Sequence, residues 1–149
     1  KILYDISYGL STIHRENWYH GDFHTGNILL EGCGNYIGSV ISDFGLCRPA
    51  GQVSAGKTLY GVLPFVAPEV LRGKEFTEKS DVYGFGMVMS EIISGKAPFA
   101  DKDDGLYLTI DICKGERPLI PEYAPEPYAA LMKLCWDPDP TKRPTAQEL

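Results

Sequence analysis

The residue types with the greatest chemical capacity fall in two short stretches, His20-Gly21-Asp22-Phe23-His24-Thr25-Gly26-Asn27 and Asp43-Phe44-Gly45. Asp22, Asn27 and Asp43 offer three oxygen-bearing side chains. Two of them can hold a hard cation through oxygen, as magnesium requires. The third can accept a proton from an attacking hydroxyl. Each stretch alone is ordinary, since an aspartate beside glycine commonly bonds its own turn. Their pairing in one chain gives them weight. His20 and His24 with Cys33 and Cys47 hold zinc-ligand types, but no helical period sets both rings on one face.

The elements around these stretches must bring them to one mouth. Residues 1–16 read as an amphipathic helix, with Ile2, Ile6, Leu10 and Ile13 on one 3.6-residue stripe. A loop over about residues 17–27 carries the first motif. Ile28-Leu29-Leu30 and Tyr36 to Ile41 flank the turn formers Glu31-Gly32-Cys33-Gly34-Asn35 and predict a small hairpin. The second motif follows its second strand. From Ser42 to Ala67 no period holds, and an aperiodic stretch of that length in a compact domain is usually functional or disordered.

Glu78 to Ser94 is apolar nearly all round, the mark of a buried central helix, with Thr77 as its cap and Gly95 as its stop. Gly84 and Gly86 each cost that helix about 1 kcal/mol against alanine. Close approach by another segment would account for them. Further helices are predicted over about 105–114 and 127–136. Thr145-Ala146-Gln147-Glu148 fits a capping box opening one more.

Composition narrows the class. The 149 residues carry 20 acidic and 14 basic side chains, a net charge of −6, which disfavours a nucleic-acid-backbone partner. At 44% apolar the chain can bury a core. It has no 18-residue apolar run, so no membrane segment is predicted. The four cysteines, Cys33, Cys47, Cys113 and Cys135, include no C-x-x-C pair and read as reduced thiols of a cytoplasmic protein. The opening Lys1-Ile2-Leu3 resembles neither a start nor a signal peptide, and the expectation is a piece of a longer parent chain.

The ordered motifs resemble the eukaryotic protein kinase superfamily. His20-Gly21-Asp22 with Asn27 looks like the catalytic loop, and Asp43-Phe44-Gly45 like the magnesium-binding motif. Ala67-Pro68-Glu69 looks like the end of the activation segment. Ser80-Asp81-Val82-Tyr83-Gly84-Phe85-Gly86 is similar to the start of the family's central helix. Cys135-Trp136 and Arg143-Pro144 match a late pattern of tyrosine kinases and tyrosine-kinase-like serine/threonine kinases, the branch the chain resembles most.

By that likeness the fold is mainly α with a small β-hairpin, the large C-terminal lobe of an α+β kinase fold whose small lobe is absent. Residues 1–149 would form a partial kinase domain, truncated at both ends. Asp22 would accept the substrate hydroxyl proton, and Asn27 and Asp43 would hold two Mg2+ ions on the phosphates of ATP. Leu29 would lie under the adenine. His20 and Phe44 would join an apolar column between lobes, and Gly45 would complete the metal motif. Asp81 would anchor the catalytic-loop backbone, and Glu69 would pair with Arg143 in a buried bridge. Residues 61–68 would shape the peptide-binding loop, with Ser54, Thr58 and Tyr60 as phosphorylation sites.

Departures from the pattern matter as much. Gly21 replaces the arginine that receives an activation-segment phosphate in many kinases, although Arg48 and Lys57 lie nearby in sequence. Activity is therefore expected to depend little on phosphorylation of that segment. His24 replaces the lysine that steadies the transferring phosphoryl group and is expected to substitute only in part as a catalytic group. Val62 replaces a threonine of the same network.

The Gly-rich loop and its partner lysine and glutamate are missing, so these residues alone should be inactive without the N-terminal kinase lobe of the parent chain. The implied activity is transfer of the ATP γ-phosphoryl to serine or threonine, less so tyrosine, of a protein substrate. Two alternatives stand. Aminoglycoside and choline phosphotransferases share a His-Gly-Asp loop followed by an asparagine, but not the Ala67-Pro68-Glu69 and Trp136-to-Arg143 blocks that suit a protein acceptor. A pseudokinase serving as a binding module would tolerate Gly21 and His24, yet Asp22, Asn27 and Asp43 are all retained.

Overall fold

The computed structural model describes residues 1–34, 36–51, 61–102 and 105–149, with the backbone alone at Cys33 and Tyr36. The molecule is mainly helical with small antiparallel sheets. Helix α1 spans Ile2–Arg15 and buries Ile6 and Leu10 of the predicted stripe. Strand β1 (Trp18–Tyr19) follows, then the His20–Asn27 motif, ending in a 3-10 turn over Thr25–Asn27. Strands β2 (Ile28–Cys33) and β3 (Tyr36–Ile41) form the hairpin, with Ile28 opposite Ile41. The ladder runs through Glu31-Gly32-Cys33, residues read from sequence as turn formers. Strand pairing there outweighs their local preference.

The hairpin lies on α1. Ser39 donates its hydroxyl to the Ile2 carbonyl (2.9 Å) and its amide to Asp5 (3.3 Å). A Cβ on Gly9 would come 3.2 Å from Ile41, so the glycine lets helix and strand close. In the aperiodic stretch, Arg48–Pro49 forms strand β4, which pairs antiparallel with β1. Two-residue strands carry too little alternation to be legible in a sequence.

Helix α2 (Pro68–Leu71) leads to the central helix α3 (Glu78–Ser94). Every residue of α3 from Ser80 to Ser90 is buried. Its start is secured by the Ser80 hydroxyl, which accepts the Thr77 amide at 2.7 Å. Its end is Gly95 at φ +67, the left-handed stop that glycine adopts without strain. Helices α4 (Leu106–Lys114) and α5 (Glu126–Cys135) complete the bundle. The glycines of α3 mark its closest contacts. A Cβ on Gly84 would meet the Phe23 carbonyl oxygen at 2.7 Å, and one on Gly86 would meet Cys135 Cβ at 2.9 Å.

At the C-terminus the predicted capping box is half made. The Glu148 carboxylate accepts the Thr145 amide (2.7 Å) and its hydroxyl (2.8 Å), but residues 145–148 form turns, not a helix. The Glu148 amide donates to the Thr145 carbonyl at 3.0 Å and not to its hydroxyl, so the other half of the box is missing. Among the described residues no helix is long and apolar enough to cross a membrane.

Candidate active site

The loop between β1 and the hairpin is held from below by α3. Asp81, 2% exposed, accepts the backbone amides of His20 (2.7 Å) and Gly21 (3.0 Å). It also bonds His14 Nε2 of α1 at 2.9 Å. A carboxylate removed from water needs several such donors, and here they fix the loop's backbone beside Asp22. Gly84 permits this seat, because any side chain there would push Phe23 away. Gly21 sits at φ +79, where a Cβ would also come within 3.0 Å of the Leu46 carbonyl.

The imidazole of His20 is fully buried and used at both nitrogens. Its Nδ1 accepts the Asp22 amide at 3.3 Å, and Nε2 donates to the Ser42 carbonyl at 2.9 Å. One ring therefore links the loop to the residue before Asp43. The Ser42 amide and hydroxyl both donate to the Asn27 carbonyl, at 2.8 Å and 2.9 Å. These bonds extend the hairpin base just below the Ile28–Ile41 pair and set Asn27 and Ser42 side by side.

The Asn27 side-chain amide donates to the Asp22 carbonyl (2.9 Å) and to Asp22 Oδ2 (3.3 Å). With its NH2 committed to Asp22, its remaining oxygen is left as an acceptor. Asp43 occupies the left-handed region at φ +58, and its Oδ1 accepts the Gly45 amide at 3.2 Å. Asp is one of the few side chains that tolerates this backbone, because its carboxylate bonds locally. Asp22 and Asn27 thus touch directly, whereas Asp43 is tied to them through Ser42. The donor set of one amide oxygen and one carboxylate suits a hard divalent cation.

His24 lies between the loop and the segment before α2. Its Nδ1 accepts the Gly26 amide at 3.1 Å and caps the Thr25–Asn27 turn. Its Nε2 is 3.5 Å from Asp22 Oδ1. The ring tilts against buried Phe65 at 5.9 Å between centroids. Gly61, at φ +108, faces Asp22, for a Cβ there would lie 3.2 Å from Oδ1.

Leu29 and Phe44 are 52% and 55% exposed, and Phe44 packs its ring 5.6 Å from that of His20. Leu30, Ile37 and Val40 are also exposed, with Leu29 and Val40 on one face of the hairpin and Leu30 and Ile37 on the other. Ser54, Thr58 and Tyr60, and Lys57 beside them, lie outside the described residues. No group of three or more metal-binding side chains occurs among the described residues. Cys47, Cys113 and Cys135 are free thiols. Burial pushes Cys47 up to about 11, which leaves it protonated and unreactive at neutral pH.

Glu69 and Arg143 form a bidentate bridge at 2.7 and 2.8 Å, with Arg143 2% exposed. Arg143 also donates to the carbonyls of Asp137 (2.8 Å) and Lys79 (2.9 Å). Breaking such a buried pair by deleting one partner costs about 3–5 kcal/mol. Two guanidinium groups, those of Arg143 and Arg117, each lie 5.2 Å from the centroid of the Tyr83 ring.

Two further links have no counterpart in the sequence reading. One is His14 to Asp81. The other is the Thr25 hydroxyl, which donates to Glu91 of α3 at 2.9 Å. His14 was legible only as a basic residue in the last turn of a helix, and Thr25–Glu91 joins residues whose proximity only the tertiary fold reveals.

A family model described as protein tyrosine and serine/threonine kinase matches residues 1–149. The chain belongs to this family of protein kinases. It is 37% identical, over its whole length, to an Acanthamoeba polyphaga mimivirus protein that carries the description of a serine/threonine-protein kinase/receptor, of which it covers 9%. It is 36% identical over 98% of its length to the Dictyostelium discoideum "Probable serine/threonine-protein kinase drkD", covering 11% of that protein. To the "Dual specificity protein kinase pyk3" of the same organism it is 35% identical over its whole length, again covering 11%. The chain therefore spans about a tenth of the length of these curated relatives.

Proposed function

We propose that these residues form the large-lobe part of an ATP-dependent protein kinase and that the parent protein phosphorylates serine or threonine hydroxyls of protein substrates. The observation that carries the reading is the Asp22–Asn27 contact on a backbone pinned by Asp81. Such a carboxylate is oriented before any substrate arrives, and positioning supplies most of the catalysis in phosphoryl transfer.

In the proposed step the substrate hydroxyl oxygen forms a bond to the γ-phosphorus as the bond from phosphorus to the β-bridging oxygen breaks. The hydroxyl proton passes to Asp22, and ADP leaves. The oxygens of Asn27 and Asp43 would hold Mg2+, which neutralises charge on the phosphates when bound. Leu29, on the exposed hairpin face, would take the adenine. Leu29 and Val40, paired on one face of the hairpin and both exposed, support an N-terminal lobe as their cover. A cytoplasmic setting fits ATP chemistry and the free thiols.

The serine/threonine preference rests on the relatives' descriptions, one of which is a dual specificity kinase. The test is phosphate transfer from ATP to a generic protein acceptor by a full-length chain containing these residues, with phosphoamino-acid analysis of the product. Asp22→Asn should lower turnover at least 100-fold while nucleotide still binds. ATP binding without transfer by the unaltered protein would favour a pseudokinase module.

A further inference from the structure

We propose that His24 is a positioning residue which holds Asp22 by a neutral imidazole, rather than a cation placed on the transferring phosphate. The inference rests on the kinase reading above and specifies how its proton acceptor is held. Three contacts carry it. The Gly26 amide donates to His24 Nδ1 at 3.1 Å, so that nitrogen must be an unprotonated acceptor. In the neutral ring the proton then sits on Nε2, the nitrogen 3.5 Å from Asp22 Oδ1. The ring is also backed by Phe65, at a centroid distance of 5.9 Å, which limits its swing.

Each contact serves a different part of the site. The bond to Gly26 caps the turn that delivers Asn27. The Nε2–H faces one oxygen of Asp22, while the Asn27 amide faces the other at 3.3 Å. The two groups thus flank the carboxylate, one at each oxygen. Phe65 belongs to the segment just before α2, so the ring also couples that segment to the loop. Gly26 belongs to the same device, because a Cβ on it would stand 2.8 Å from His24 Cε1 and push the ring aside. A flexible lysine at this position could not accept the Gly26 amide, since an ammonium has no acceptor lone pair.

The experiment has two arms, both on a full-length chain containing these residues. The first is long-range proton–nitrogen NMR of the His24 ring at neutral pH. A proton on Nε2 alone is expected, and a proton on Nδ1 would overturn the proposal whether or not the protein is active. The second arm separates kcat from the KM for ATP in three variants. His24→Asn retains a side-chain acceptor for the Gly26 amide but cannot reach Asp22. It should lower kcat about 10-fold with the KM for ATP unchanged.

His24→Gln, which places an NH2 near the Nε2 position, should recover part of that loss. His24→Lys should lower kcat below that of the unaltered protein. A lysine variant with higher kcat, or a lower KM for ATP, would overturn the proposal in favour of a phosphate cation. If the unaltered protein transfers no phosphate at all, the kinase reading fails, and the ring tautomer still decides the His24 assignment.

Discussion

Gly21 is where a single residue type best explains a departure from the kinase pattern. Its backbone is held by Asp81 at φ +79, a region that costs an ordinary L-residue roughly 1–2 kcal/mol. A Cβ there would also press on the Leu46 carbonyl. Gly21→Ala should therefore destabilise the protein by about 1–2 kcal/mol, read as a lower denaturant midpoint at unchanged m-value. The absence of an arginine at this position, the sequence's most visible anomaly, leaves the loop relaxed where another side chain would strain it. The sequence disclosed the substitution but not the torsion angle. A positive φ is imposed by tertiary bonds, here those to Asp81, and leaves no local pattern.

At the scale of elements, α3 does most to build the site. It carries Asp81 for the loop, Glu91 for Thr25, and the two glycines that admit its neighbours. Its span, Glu78–Ser94, and its largely buried character could be read directly from the run of apolar residues. So could the close approach at Gly84, because a glycine that weakens a helix needs a reason to be there. What approached it was not readable, since Phe23 lies far off along the chain. Gly84→Ala places a Cβ 2.7 Å from the Phe23 carbonyl, which is backbone and cannot simply rotate away. Overpacking of this kind costs about 1–3 kcal/mol. The variant should lose stability in that range and also show faster amide hydrogen exchange at Phe23 and its neighbours, whereas a purely local helix effect would leave the loop's exchange unchanged.

For the molecule as a whole, the core holds weak acids in their neutral forms. Burial pushes the Cys135 thiol from 9.0 up to about 12 and the Tyr128 hydroxyl from 10.0 up to about 12. The unfolded chain releases these protons at lower pH than the folded one. The associated stability is thus complete below about pH 9 and is lost as pH rises toward 12. At pH 10 Cys135 alone should account for about 1 kcal/mol of lost stability. Thermal midpoints measured from pH 7 to pH 10.5 should fall above pH 9, and Cys135→Ala should flatten the decline. The mainly helical class, the hairpin and the order of motifs were accessible from sequence because they rest on local periodicity and spacing. The β1–β4 pair and the links through Ser42 were not, because two-residue strands and backbone bonds between distant segments leave no trace in composition or period.

The bidentate bridge between Glu69 and Arg143 joins positions 74 apart. During translation at about 5–20 residues per second, the carboxylate waits roughly 4–15 s for its guanidinium to be made. Throughout that interval the nascent polypeptide can assemble α1 and the hairpin, yet it cannot bury Glu69 without leaving a charge stranded in a dry interior. The segment leading into α2 is accordingly among the last regions to mature. Ribosome stalling or early termination before Arg143 would yield a species that chaperones and proteases recognise, rather than a half-competent enzyme.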